Sequence, residues 1–160
     1  GSFAPWVGEI LKDIKIKILV VVDDDRQTEV FTRLSRVGFD NYIGYLDGGI
    51  NSWIENGYET QSIENISPDE FVNIMNEIKI LDVRNEGEIN SSSLDNSIKI
   101  PLKTLENNLN KLNLNNKYYI HCAGGYRSMI AASLMKKNGF NKLVNISKGY
   151  SGIKKCLISI

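Results

Sequence analysis

The sequence predicts an α/β fold built on a mainly parallel sheet flanked by helices. Three observations lead there. Short apolar runs rich in β-branched or aromatic residues recur along the chain, as at 16–22 and Tyr118–His121. Between them stand segments with apolar residues at helical spacing. Glycines close most of those segments, as at Gly38, Gly57 and Gly139. In folds of this class, ligands sit at the carboxyl ends of the strands.

Taken in order, residues 6–11 predict one or two helical turns. The run 16–22 reads as a strand buried on both faces, because a short, nearly continuous apolar run suits the interior of a parallel sheet. Val30, Phe31, Leu34 and Val37 give the apolar stripe of a helix over 27–37, stopped by Gly38. Residues 42–46 are a second strand, and Asp47-Gly48-Gly49 turns the chain into a short helix over 50–56. The stretch 58–65 is polar and aperiodic, and a linker is placed at 61–66. Ser67 then caps a helix, with Pro68 at its first position and Glu70 completing a capping box. Phe71, Ile74, Met75 and Ile78 are its buried stripe. Residues 80–83 are a strand, 85–96 an acidic and then serine-rich loop, and 97–100 a brief strand stopped by Pro101. Leu105, Leu109 and Leu112 share one face of a helix. Tyr118–His121 is a strand, 129–138 a helix, Leu143–Ile146 the last strand and 149–155 the last helix.

The chain has 160 residues, enough for one ordinary domain or two small ones. Nineteen basic and 19 acidic residues leave no net charge, so nothing in the balance points to nucleic acid or an anionic membrane. No apolar run reaches the length of a membrane span, and no leader pattern is read at the start. Two cysteines, Cys122 and Cys156, and one histidine are too few for a zinc site and make a poor disulfide framework. A reducing cytoplasm is the compartment expected.

The chain also repeats itself at a spacing of roughly one hundred residues. Both copies read strand, loop, Arg, helix, Gly-Phe, strand, Gly turn, short helix, with Arg26 answering Arg127 and Gly38-Phe39 answering Gly139-Phe140. This divides the chain into a partial domain over 1–60, the linker, and a more complete domain over 67–160. Overlaying the copies sets Asp23 against Cys122 and makes the first loop two residues shorter. An acidic, shortened loop without a thiol predicts a catalytically silent first copy. A divalent cation on Asp23, Asp24 and Asp25 is the alternative, disfavoured because consecutive side chains diverge.

The chemistry concentrates in Cys122-Ala123-Gly124-Gly125-Tyr126-Arg127-Ser128. The nucleophile in cysteine chemistry is the thiolate, and unpaired N–H groups at a helix N-terminus favour that anion. Gly124 and Gly125 let successive N–H groups curl inward as an anion nest. Arg127 adds a fork of donors and a fixed charge. Together these suit a thiolate, a persulfide on it, or an oxyanion. The bland alternative for Cys122 is a small buried hydrophobe ending a strand. His121 neighbours Cys122 in sequence, but adjacent strand residues point to opposite faces, so a structural histidine is expected. Tyr126 either lines the pocket mouth or faces solvent.

On these residues the stretch 67–153 resembles a rhodanese domain. The loop from Cys122 to Ser128 is similar to that family's active loop. Leu81-Asp82-Val83-Arg84 with Glu88, and Ile98-Lys99-Ile100-Pro101-Leu102, are similar to its two upstream motifs. The departure is Ser92-Ser93-Leu94, where the family usually has Gly-His-Ile. The resemblance implies sulfur transfer by double displacement. Cys122 takes sulfane sulfur from thiosulfate or a persulfide, Ala123, Gly124, Gly125, Tyr126 and Ser128 cradle it, and a thiol or cyanide removes it. Arg127 steadies loop and charge, while Asp82 and Arg84 brace the site from behind. No metal or other cofactor is implied in this stretch. The first copy, with Phe3-Ala4-Pro5-Trp6-Val7-Gly8, resembles the penultimate part of proteins that fuse a metallo-β-lactamase-fold domain to tandem rhodanese domains. That likeness implies a preceding metal-binding domain as a partner and a sulfur-relay or binding role as the alternative function. A cysteine phosphatase is the other rival, disfavoured because related phosphatases space Cys and Arg more widely.

Overall fold

The computed structural model describes residues 3–23 and 25–158. In chain order these hold α1 (Phe3–Leu11), β1 (Ile18–Val20), α2 (Gln27–Ser35), β2 (Tyr42–Tyr45), α3 (Gly49–Glu55), β3 (Glu64–Ile66), α4 (Pro68–Ile74), β4 (Lys79–Asp82), α5 (Glu86–Ser91), β5 (Ser97–Lys99), α6 (Leu102–Asn108), β6 (Tyr118–His121), α7 (Tyr126–Lys137), β7 (Leu143–Ile146) and α8 (Gly149–Ile158). None of these helices is long and apolar enough to cross a membrane. The chain divides into two compact units, Gly1–Gln61 and Ser62–Ile160.

The second unit is a five-stranded sheet in the order β3-β7-β6-β4-β5, and every pair in it is parallel. Alternation along the strands sends Ile80, Tyr119 and Ile146 to one face, where they pack with Phe71 of α4 and Ile153 of α8. Tyr118 faces the other way and meets Phe140 edge-on, beyond the end of α7. Phe71, fully buried, contributes about 2–3 kcal/mol by leaving water. The capping box opens α4 as its residues predict: Ser67 Oγ accepts the Glu70 N–H at 3.2 Å, and Glu70 Oε2 accepts the Ser67 N–H at 2.7 Å.

The order of the sheet creates the crevice. From β4 the chain crosses through α5 to β5 on one side, whereas from β6 it crosses through α7 to β7 on the other. The loops leaving β4 and β6 therefore diverge, and a cleft opens above the carboxyl ends of these adjacent strands.

Several sequence expectations are corrected. Residues 64–66, read as the end of a linker, form β3 and pair with β7. Polar composition hid this edge strand, which needs few apolar residues because two of its three are exposed. The expected loop over 85–96 contains α5, opened by a second capping box between Asn85 and Glu88. The last helix continues to Ile158, beyond the 155 expected. Helix α7 begins at Tyr126, three residues before 129, because its first turn carries loop residues without apolar period.

The first unit pairs β1 and β2 in parallel, with Val20, Leu34 and Phe39 as its core. Its strand is shorter than the run 16–22, and it is not buried on both faces. Leu19 is 69% and Val21 60% exposed, because this two-stranded sheet is covered on one side. The two units share local geometry at matched positions. Ile18 N–H donates to Asn41 O at 3.0 Å, as Tyr118 N–H does to Lys142 O at 2.9 Å. The turn after the helix repeats too: Phe39 N–H donates to Leu34 O, and Phe140 N–H to Met135 O, each at 3.1 Å. A Cβ on Gly49 would meet Val22 O at 2.8 Å, and one on Gly149 would meet Cys122 O at 2.3 Å. The counterpart of Cys122 is thus Val22, not Asp23, and three residues rather than four separate it from Arg26. The first loop is therefore one residue shorter, and the extra residue Ile43 in β2, at the register irregularity against β1, restores the spacing before Gly49. Asp24, part of the acidic run considered for a cation, lies outside the described residues.

Candidate active site

Strand β6 delivers Cys122 to the carboxyl end of the sheet between β7 and β4. The side chain is 1% exposed. Its Sγ accepts the Gly125 N–H at 3.1 Å and lies 3.6 Å from Ser128 Oγ. That hydroxyl donates to Gly125 O at 2.9 Å, closing the loop on itself. Gly125 holds φ at 102°, a left-handed conformation that side chains resist, and this turns its N–H onto the sulfur just before α7 starts. The first N–H groups of α7 have no partner within the helix, so they add partial positive charge beside the sulfur.

A second helix orients the rest of the loop. At the start of α8, Tyr150 N–H donates to Cys122 O at 2.7 Å and Ser151 N–H to Ala123 O at 3.0 Å. All peptide bonds among the described residues are trans, so each carbonyl points opposite to the N–H of the next residue. With the carbonyls of Cys122 and Ala123 held by α8, the N–H groups of Ala123 and Gly124 face away from it. Gly149 makes this approach possible, since any Cβ there would overlap Cys122 and Ala123.

Beneath the loop lies a buried polar layer. Asp82 and His121 are cross-strand partners at the ends of β4 and β6, and neither is exposed. Arg84 curls back onto Asp82, with Nε 3.0 Å from each carboxylate oxygen and Nη2 donating to Oδ2 at 2.6 Å. Nη2 also donates to Ser92 O at 2.8 Å, and the guanidinium carbon stands 3.8 Å above the Tyr150 ring. The Tyr150 hydroxyl in turn bonds Ser92 Oγ. His121 stacks near the same ring, centroids 5.8 Å apart. Its Nε2 makes no hydrogen bond among the described residues, although Asp82 Oδ2 is 3.8 Å away. Burial pushes the His121 imidazole below its ordinary range, with Asp82 opposing. The His121 ring therefore belongs to the α8 side of the sheet, while the Cys122 sulfur meets the first turn of α7.

Arg127 is placed differently from what a substrate-facing cation requires. Its Nη1 and Nη2 donate to Glu88 Oε2 and Oε1 at 2.6 and 2.7 Å, a two-point pair across the cleft. Arg127 chiefly, and the Asn85 N–H to a lesser degree, hold the Glu88 carboxyl below the usual range against the effect of burial. Tyr126, 52% exposed, opens α7 at the rim. Thus Cys122, Gly125, Ser128 and the start of α8 meet at one point, and the guanidiniums of Arg84 and Arg127 are both tied to carboxylates. Sequence reasoning overlooked Gly149, Tyr150 and the clamp by Glu88. The available signals were the Gly turn repeated at Gly49 and Gly149, and the capping-box spacing of Asn85 and Glu88. Cys156, on α8, lies 3.3 Å from Asp69 Oδ1 and belongs to a different part of the surface network.

Known proteins share this architecture. YrkF of Bacillus subtilis, a candidate sulfur carrier protein by its name, is 42% identical over 72 residues, covering 45% of this chain and 39% of that protein. A rhodanese-like domain protein from Staphylococcus aureus is 35% identical in its crystal structure, with a TM-score of 0.54 over 57% of this chain and 91% of that one. The human single-domain sulfurtransferase TSTD1, 18% identical with a TM-score of 0.52 over 61% of this chain and 97% of its own, shares the fold. The chain thus spans well under half the length of YrkF. The family model described as Rhodanese-like domain matches residues 67–156, which contain β4, the Cys122 loop and the first helical turns of α8, and on that match the chain belongs to the rhodanese-like domain family.

Proposed function

We propose that this chain is a rhodanese-type sulfurtransferase that carries sulfane sulfur on Cys122. The observation that supports it most is the pairing of two helix starts around one sulfur. Helix α7 and Gly125 present N–H groups to Sγ, and α8 turns the loop's carbonyls outward. Such a nest stabilises a thiolate, and then a persulfide one sulfur longer, without any side-chain charge. In the first half-reaction the Cys122 thiolate attacks the outer sulfur of thiosulfate or a persulfide, and the old S–S bond breaks. In the second, cyanide or a thiolate removes that sulfur and regenerates Cys122. Neither step as drawn needs a general base or a metal, since each is written from a thiolate or cyanide nucleophile. Ala123, Gly124, Gly125 and Ser128 supply the cradle, Tyr126 its rim, and Arg127 fixes the start of α7 through Glu88. The first unit, with Val22 at the thiol's position, is assigned no sulfur chemistry. Turnover of thiosulfate and cyanide to sulfite and thiocyanate tests the proposal: the parent is expected to be active and Cys122→Ser inactive. A Cys122→Ser protein as active as the parent would end the assignment.

A further inference from the structure

The cleft contains two cations and two carboxylates, each cation already matched. Arg84 is held by Asp82 and stacks on the face of the Tyr150 ring, while Arg127 is held at two points by Glu88. Lys148, just before α8, sets its backbone N against Gly125, but its charge acts on the Cys156 thiol. Recognition at Cys122 therefore falls to backbone N–H groups, which suit one negative charge better than two.

Resting on the sulfur-transfer reading above, we propose that Glu88 is a specificity-setting residue, which cancels Arg127 and so selects persulfide donors over the thiosulfate dianion. The two donors differ in what must be stabilised. With a persulfide, Cys–S⁻ attacks the outer sulfur of R–S–SH. A new S–S bond forms, the old one breaks, and its electron pair leaves on R–S⁻, giving Cys–S–SH. With thiosulfate, the same attack yields Cys–S–S⁻ and expels sulfite with two negative charges. The three charges in that encounter need a cation that this cleft has neutralised. Glu88 does not touch the sulfur; it acts through Arg127. The same carboxylate also accepts the Asn85 N–H at 3.0 Å, a role that glutamine can fill.

The test is single-turnover loading of Cys122, read by mass, with inorganic thiosulfate and with the persulfide of N-acetylcysteine amide, whose carrier is uncharged. The parent is expected to load faster from the persulfide. Glu88→Gln frees the guanidinium and should raise the thiosulfate-to-persulfide rate ratio about tenfold, the scale of one extra charge facing a partly buried cation. Arg127→Gln leaves the carboxylate uncompensated and should lower the ratio. Either variant, confirmed folded by its melting curve, is sufficient alone, because a merely structural role would slow both donors alike. A ratio unchanged within twofold, a shift in the opposite sense, or a parent that prefers thiosulfate overturns the role of Glu88. Failure of the parent to load from either donor instead overturns the sulfur-transfer reading.

Discussion

Replacing Gly149 by alanine tests how the Cys122 loop is held. The added Cβ would stand 2.3 Å from Cys122 O and 2.8 and 2.9 Å from Ala123 C and O, where ordinary contact begins at 3.4 Å. All three atoms are backbone, so no flexible side chain can give way. The loop must retreat by about an ångström relative to α8, and that breaks the bonds from Tyr150 N–H to Cys122 O and Ser151 N–H to Ala123 O. Each is worth about 1 kcal/mol. Alanine at φ 51° adds about 1 kcal/mol of left-handed strain. The expected loss is about 3 kcal/mol, a large share of the stability of a small domain. Urea denaturation with a shared slope measures it. Sulfur loading should slow at least about tenfold, since the N–H groups of Ala123 and Gly124 lose their orientation. Gly124→Ala is the control. Its Cβ meets nothing within 4 Å, and the stability change should stay within about 0.5 kcal/mol. A Gly149→Ala protein as stable and as fast as the parent would refute the reasoning, because the loop would then not depend on α8.

Two further outcomes follow from the buried polar layer. Tyr150→Leu removes the ring over Arg84 and the hydroxyl on Ser92, and is expected to destabilise by about 2 kcal/mol in the same denaturation assay; Tyr150→Phe, which keeps the ring, should lose about half as much. His121 is pushed below its ordinary value of 6.5, chiefly by burial. The unfolded chain then binds a proton near that pH which the folded chain refuses, so stability falls as pH drops from 6.5 toward the lowered folded value. His121→Gln should flatten that slope whatever it does to stability at neutral pH, as urea titrations across pH 5 to 8 would show.

Much of the second unit was legible because its signals are local. The Ser67–Glu70 capping box, the Pro101 stop and the Gly139 turn each act within a few residues, and so does the Cys122–Ser128 loop. Features that depend on partners distant in sequence were not legible. β3 is polar by composition and becomes a strand through pairing with β7, about eighty residues later. The clamp of Arg127 by Glu88 joins the starts of α5 and α7, and nothing in either segment alone shows that the cation is taken. Val22 was mismatched because Asp23, the first polar residue after the apolar run, was taken as the strand's end, whereas the pairing that sets Ile18 on Tyr118 carries Val22 onto Cys122 at a constant offset. Helix α5, Glu86–Ser91 within the expected loop, was hidden by the serines at its end, which favour turns yet tolerate the end of a helix opened by a strong cap. In each case the residue types were visible and the pairing was not.

The most direct test of sulfur transfer is the intact mass of the protein before and after exposure to a sulfane-sulfur donor, followed by peptide mapping. The proposal predicts a gain of one sulfur atom, located on Cys122, and its complete removal by cyanide. A protein that never gains sulfur from any donor, or that gains it on Cys156 with Cys122 untouched, would contradict it.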